Sequence, residues 1–184
     1  MEILIILLAI VLVIALWIAA VYNGLIKLRT QTQEALADID VQLKRRYDLI
    51  PNLLETVKGY AAHEKEVFEK VTQARTAAMG ATNLKEQTEA NNQLTGALKT
   101  LFAVSENYPD LKASVNFLEL QRELTDTEDK VQAARRFYNA NVRDLNIKIQ
   151  SFPDNTIANM FNFKMMELFE VTDAAQKEAP QVKF

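Results

Sequence analysis

Residues 3–21 carry no charged, amide or hydroxyl side chain, and such a run leaves a chain few ways to fold. As a helix it measures about 28 Å, close to the hydrocarbon thickness of a bilayer. In water, apolar side chains on every face would need solvation. In a bilayer that cost disappears, and the helix satisfies its own backbone hydrogen bonds. The run therefore reads as a membrane span. A cleaved secretory signal calls for a basic start, a shorter apolar core and a small-x-small site. Here Glu2 precedes the run without any Lys or Arg, and no Ala-x-Ala lies beyond it, so the span is expected to be retained. Lys27 and Arg29 follow it, then Lys44, Arg45 and Arg46. The positive-inside rule then expects the N-terminus outside and the large domain in the cytoplasm, with Trp17 and Tyr22 near the same membrane surface.

About 160 residues remain beyond the span, enough for one domain with its own core. A net charge of −3 argues against nucleic acid as a partner, because releasing phosphate counterions needs a basic face. Cysteine is absent and only four Gly and four Pro occur. That scarcity of chain breakers points to a few long helices.

Apolar residues recur at three-and-four spacing from Leu25 through Ile39 to Ile50, predicting a soluble helix that continues the span, with a joint at Asn23-Gly24. Asp48 is expected to cap a second helix with Pro51 in its first turn, although Pro51 could equally mark a kink. That helix fades at Gly80, a third covers 84–105, and Asn107-Tyr108-Pro109-Asp110 reads as a turn. The fourth and longest covers 111–150, where Phe117, Leu124, Val131 and Tyr138 fall seven apart, a seam suited to coiled-coil-like packing. A fifth, rich in Met and Phe, is expected over 156–171. The resulting fold class is all-α, a transmembrane helix continuing into an antiparallel helical bundle. The expected domains are an anchor at 1–24, the bundle at 25–172 and a tail at 173–184.

Catalytic chemistry is thinly supplied. His63 is the one histidine. The zinc-protease helix motif needs a second His where Val67 stands, and bundle di-iron sites need two histidines. Gly24, Gly59, Gly80 and Gly96 are too dispersed for a phosphate loop, and Ser105, Ser114 and Ser151 lie in no nucleophile-elbow pattern. The reading is a protein without catalytic, cofactor-binding or metal-binding residues, and not an enzyme.

Three constellations are candidate interaction residues. Lys44, Arg45, Arg46 and Asp48 form a dense charged stretch, read either as a solvated face or as a docking surface. Lys44 stands roughly 25 Å beyond Lys27 on a straight helix, so a protein partner suits the stretch better than lipid headgroups. Phe161, Phe163, Met165 and Phe169 exceed what one amphipathic face buries and are candidates for a subunit interface. Asn139 and Asn146, seven residues apart beside the seam, need polar partners. Asp40, Arg46 and Asn52 are plausible ones, and Asp40, Asn52, Asn139 and Asn146 form the expected inter-helix network.

Tyr22-Asn23, the run at 39–53, Val57-Lys58-Gly59-Tyr60-Ala61 and His63-Glu64 resemble the LemA family of bacterial membrane proteins. So do Tyr108-Pro109-Asp110-Leu111-Lys112-Ala113, Leu120-Gln121-Arg122-Glu123-Leu124, Arg136-Phe137-Tyr138-Asn139 and Phe152-Pro153. The resemblance covers nearly the whole chain. It implies one N-terminal membrane helix and a helical bundle in the bacterial inner membrane, with the N-terminus often outside, and brings no established activity. The expected role is a structural or adaptor protein of the envelope, a homo-oligomer or scaffold in the lipid bilayer. The alternative is a regulator or sensor partner of a membrane protease or signalling protein.

Overall fold

The computed structural model describes residues 1–169, and the regular structure among them is entirely helical. Six helices follow in order: α1 (Glu2–Lys58), α2 (Lys65–Gly80), α3 (Leu84–Ser105), α4 (Pro109–Lys112), α5 (Val115–Gln150) and α6 (Asp154–Met160). The tail expected at 173–184 and the last residues of the expected fifth helix lie outside the described residues. The chain divides into two compact units. Among the described residues, one combines Met1–Ile39 with Ala134–Leu168, and the other combines Asp40–Ala133 with Phe169.

The helix boundary expected at Asp48 does not exist, because α1 passes through Pro51 and ends at Lys58. A proline inside a helix removes the N–H that would bond the carbonyl four residues back, and ordinarily costs about 3 kcal/mol. That carbonyl belongs to Tyr47, and the Arg75 Nε–H from α2 donates to it at 2.8 Å. A side chain from the neighbouring helix thus replaces the bond that Pro51 cannot make. The real break comes at residues 59–64, where the backbone turns through Tyr60 N–H to Val57 O and Glu64 N–H to Ala61 O. Exposed His63 sits in this turn.

The α2–α3 hairpin turns on local capping chemistry. Asn83 Oδ1 accepts from Glu86 N–H at 2.9 Å, while Glu86 Oε2 accepts from both the backbone N–H and the hydroxyl of Thr82 at 3.1 Å. Orphan donors at the start of α3 are thereby satisfied reciprocally. The bonds from Thr82, backbone first, hold the Glu86 carboxyl below the usual carboxylate range. In this unit the core gathers Ile50, Leu53 and Val57 from α1, Val71 from α2, Leu94 and Leu101 from α3, Leu111 from α4 and Phe117 from α5. Phe102 and Phe117 meet edge to face at 6.2 Å.

The seam of α5 is not a strict heptad. Its inward positions step by three and four from Phe117 to Ala134, then take two fours in a row at Tyr138 and Val142. The same double step occurs in α1, at Ala35, Ile39 and Leu43. An extra residue of this kind is a stutter, which locally unwinds the burial stripe so that a straight helix keeps its apolar side inward. The division of the chain into units falls at these two places in the sequence.

In the unit that holds Met1–Ile39, Val21, Leu25, Leu145, Ile149, Ile157 and Ala158 form a buried cluster. α1 runs through Asn23-Gly24 without the expected joint. Gly24 instead provides clearance for Lys148, whose Nζ would lie 3.3 Å from a β-carbon there and pairs with Asp154 at 3.2 Å. The fifth helix is shorter than expected because α6 stops at Met160. Asn162 adopts a left-handed φ of 56°, Asn162 N–H donates to Asn159 O, and Phe163 N–H donates to Ala158 O. This is the Schellman arrangement, in which the asparagine takes the place glycine usually fills. Beyond it, residues 163–168 run as a non-helical strap.

The Pro51–Arg75 relation is testable by a double-mutant cycle in chemical denaturation. Arg75→Ala should cost roughly 2 kcal/mol, since it leaves a carbonyl unpaired. In a Pro51→Ala background, where residue 51 regains its N–H, the same change should cost about 1 kcal/mol less.

Candidate functional site

Two arrangements stand out, one in each unit. The first is a buried polar layer built on α1. Arg46 is 3% exposed. Its Nη2 donates to Thr95 Oγ1 at 2.8 Å and its Nη1 lies 2.8 Å from Glu128 Oε2. The adjacent residue of α1, Tyr47, is also buried, and its hydroxyl donates to Asn91 Oδ1 at 3.0 Å. Asn91 Nδ2 in turn donates to Gln87 O at 2.7 Å. Burial draws the Arg46 guanidinium below its ordinary pKa and the Glu128 carboxylate opposes this, so the ion pair is what keeps the charge tolerable inside. The Glu128 contact is ionic and off the N–H axis, and Arg46 Nε and Gln42 Oε1 have no hydrogen-bond partner among the described residues.

The expected docking stretch is therefore divided by burial. Arg46 faces inward and serves the core. Lys44 and Asp48 are exposed but bond each other at 2.8 Å one turn apart, and Arg45 is exposed. Asp40 Oδ1 accepts from Gln87 Nε2 at 3.0 Å, and Asn52 is exposed.

The second arrangement is the strap. Asn146 clamps it twice, with Nδ2 donating to Met166 O at 2.9 Å and Oδ1 accepting from Met166 N–H at 3.0 Å. The Tyr138 hydroxyl donates to Glu167 O at 2.9 Å, and burial raises its pKa so that it remains a donor. The partner of Asn146 is thus strap backbone, not a side chain on a facing helix. An asparagine offers a donor and an acceptor side by side, which matches one peptide group of an extended chain. Asn139 is half-buried on the same helix.

The strap residues expected at a subunit interface separate likewise. Phe169 is buried, Phe163 is half-buried with Arg29 over its ring at 5.8 Å, while Phe161 and Met165 are 46% and 60% exposed. Arg75, Thr95, Asn91 and Glu128 were invisible to pattern reading. Thr127, fully buried at a seam position of α5 beside Glu128, is a polar interruption of the apolar pattern. Among the described residues, no group of three His, Cys, Asp or Glu side chains is placed to hold a metal ion.

These features define an all-helical protein that carries one apolar helix long enough to cross a membrane. The LemA family model matches residues 35–184, and the chain belongs to the LemA family. Among curated relatives, Protein LemA of Metamycoplasma hominis is 29% identical over 155 residues, covering 82% of this chain and 69% of that protein. Magnetosome protein MamQ 2 of Paramagnetospirillum magneticum is 26% identical over 175 residues, covering 81% of this chain and 64% of its own length. Magnetosome protein MamQ of Magnetospirillum gryphiswaldense is 24% identical, with 80% and 64% covered. The chain thus spans less than two thirds of the magnetosome relatives it matches. Family and apolar helix together point to a membrane-associated envelope protein.

Two predictions follow from the bonds above. Glu128→Ala should destabilise the protein by roughly 3 kcal/mol, because a buried guanidinium loses its counter-charge, whereas Arg46→Met combined with Glu128→Gln should cost less in thermal unfolding. Asn146→Ala should remove both bonds to residue 166 and speed amide exchange there by about tenfold or more, read by hydrogen exchange.

Proposed function

We propose that the chain is a membrane-anchored structural protein of the bacterial envelope whose helical units self-associate or scaffold other membrane components. The observation that carries this reading is the state of the apolar run. The large apolar side chains from Ile3 to Leu16 are 50–76% exposed among the described residues. A bilayer is the medium that such a helix fits. Confinement to a membrane raises effective concentration and makes weak side-to-side contacts productive. Ala15 and Ala19 give the span small residues at four-residue spacing that allow close helix approach.

Outside the span, Ile147, Met165 and Leu168 are 55%, 60% and 50% exposed in the same unit, the kind of apolar surface that a second subunit buries. The buried polar layer fits a structural role, since a charged pair inside a bundle favours one register over its neighbours.

Native mass in mild detergent tests the proposal. The full chain should run as a discrete oligomer, and Met165→Glu with Leu168→Glu should shift it towards monomer while leaving helicity intact. A wild-type monomer that cross-links to a different protein in native membranes would replace self-association with the adaptor role. The exposed Lys44, Arg45 and Asp48 face would then be the first surface to map.

A further inference from the structure

The strap and the turn preceding α6 meet α1 at a level that the apolar run itself defines. Ile18 packs against the cluster containing Val21, Ile149 and Ile157, so this core begins inside the last turn of residues 3–21. The next residue, Tyr22, has its ring 4.8 Å from that of Phe161 and 5.9 Å from that of Phe163. Whatever depth Tyr22 takes, Phe161 shares.

Three large apolar side chains at this level face away from the core. Phe152 is 85% exposed, Met160 65% and Phe161 46%. Phe152 occupies the turn between Ile149 and Ile157, both members of the cluster that holds Val21. Met160 and Phe161 close α6, directly after that cluster's Ala158. Burying side chains of this size is worth about 1.5–3 kcal/mol each. The charges at this level, Lys148 and Asp154, pair with each other at 3.2 Å, and further along α1 come Lys27 and Arg29, the latter with its guanidinium over Phe163. Apolar tips, then aromatic rings, then basic heads is the order in which an interfacial layer takes side chains.

We propose that Phe152, Met160 and Phe161 insert into the interfacial layer of the bilayer that residues 3–21 span, giving this unit a second hold on the lipid. The proposal rests on the membrane-spanning reading. Lipid is the occupant because the patch is continuous with the lipid-facing run through Ile18 and Tyr22. Two separate points of attachment remove the freedom of the unit to swivel about a single helix, and so would fix which surface it offers along the membrane plane.

The absence of cysteine makes a direct test simple. Phe152→Cys and Phe161→Cys are made singly in the full chain, with Leu8→Cys in the run and Met79→Cys on the exposed surface of α2 as references. Each is labelled with an NBD probe in phosphatidylcholine–phosphatidylglycerol vesicles, then quenched by aqueous iodide or by a headgroup nitroxide lipid. Iodide quenching at 152 and 161 should be about threefold weaker than at 79, with strong nitroxide quenching at both. If 152 and 161 match 79 while position 8 is lipid-quenched, the anchor stands and the proposal falls. If position 8 is also aqueous, the spanning reading falls and takes the proposal with it. Protection from both quenchers would mean that protein, a second copy included, covers the patch, and would overturn the proposal.

Discussion

The carbonyl of Tyr47 is a small place for a structure to depend on. Helix α1 carries the apolar run at one end and supplies buried residues to the core of each unit, so it must not break. Pro51 is the one residue in it that should break it. The guanidinium of Arg75 closes that gap at 2.8 Å, and by doing so ties α2 to α1 at the place where α1 is weakest. Without that bond, a buried carbonyl would lack a donor, and the cheapest relief would be a kink. Tyr47, Ile50 and Leu53 would then point elsewhere, and the polar layer at Arg46 would lose its geometry.

Several polar residues of the described chain follow the same economy, satisfying a backbone group or a counter-charge. Asn146 matches one peptide group of the strap, Tyr138 caps another, and Asn162 accepts the left-handed turn that ends α6. Arg46 and Glu128 neutralise each other inside a helical core. Each would be costly alone and is cheap in its setting. On the surface lie apolar side chains, among them Phe152, Met160 and Phe161, and ordinary one-turn ion pairs such as Lys44 with Asp48.

This explains which parts were legible in the sequence. Apolar periodicity is a property of one helix, so the span, α3 and the body of α5 could be read from spacing alone. The start of α3 rests on Asn83 and Glu86, whose capping bonds the apolar spacing did not reveal. Pro51 misled because its effect on a helix depends on whether a distant side chain, Arg75, reaches the orphaned carbonyl. The Met- and Phe-rich segment misled for a related reason. Its composition suits a helix, but Asn146 and Tyr138 bond its backbone where it runs non-helical. The charged stretch at 44–48 could not be sorted into interior and surface until the neighbours of Arg46 were known. Local propensity failed where tertiary bonds to the backbone decided the conformation.

The strap also shows why location, rather than chemistry, is the readable part of this protein's role. Its aromatic rings gather where the apolar run ends, held there by bonds from α5. The strap follows Phe161, whose ring meets that of Tyr22 at 4.8 Å, and carries the exposed side chains of Met165 and Leu168 a few residues on. Loosening Asn146 would therefore disturb the placement of Phe161, Met165 and Leu168 together, since one short segment of backbone carries all three.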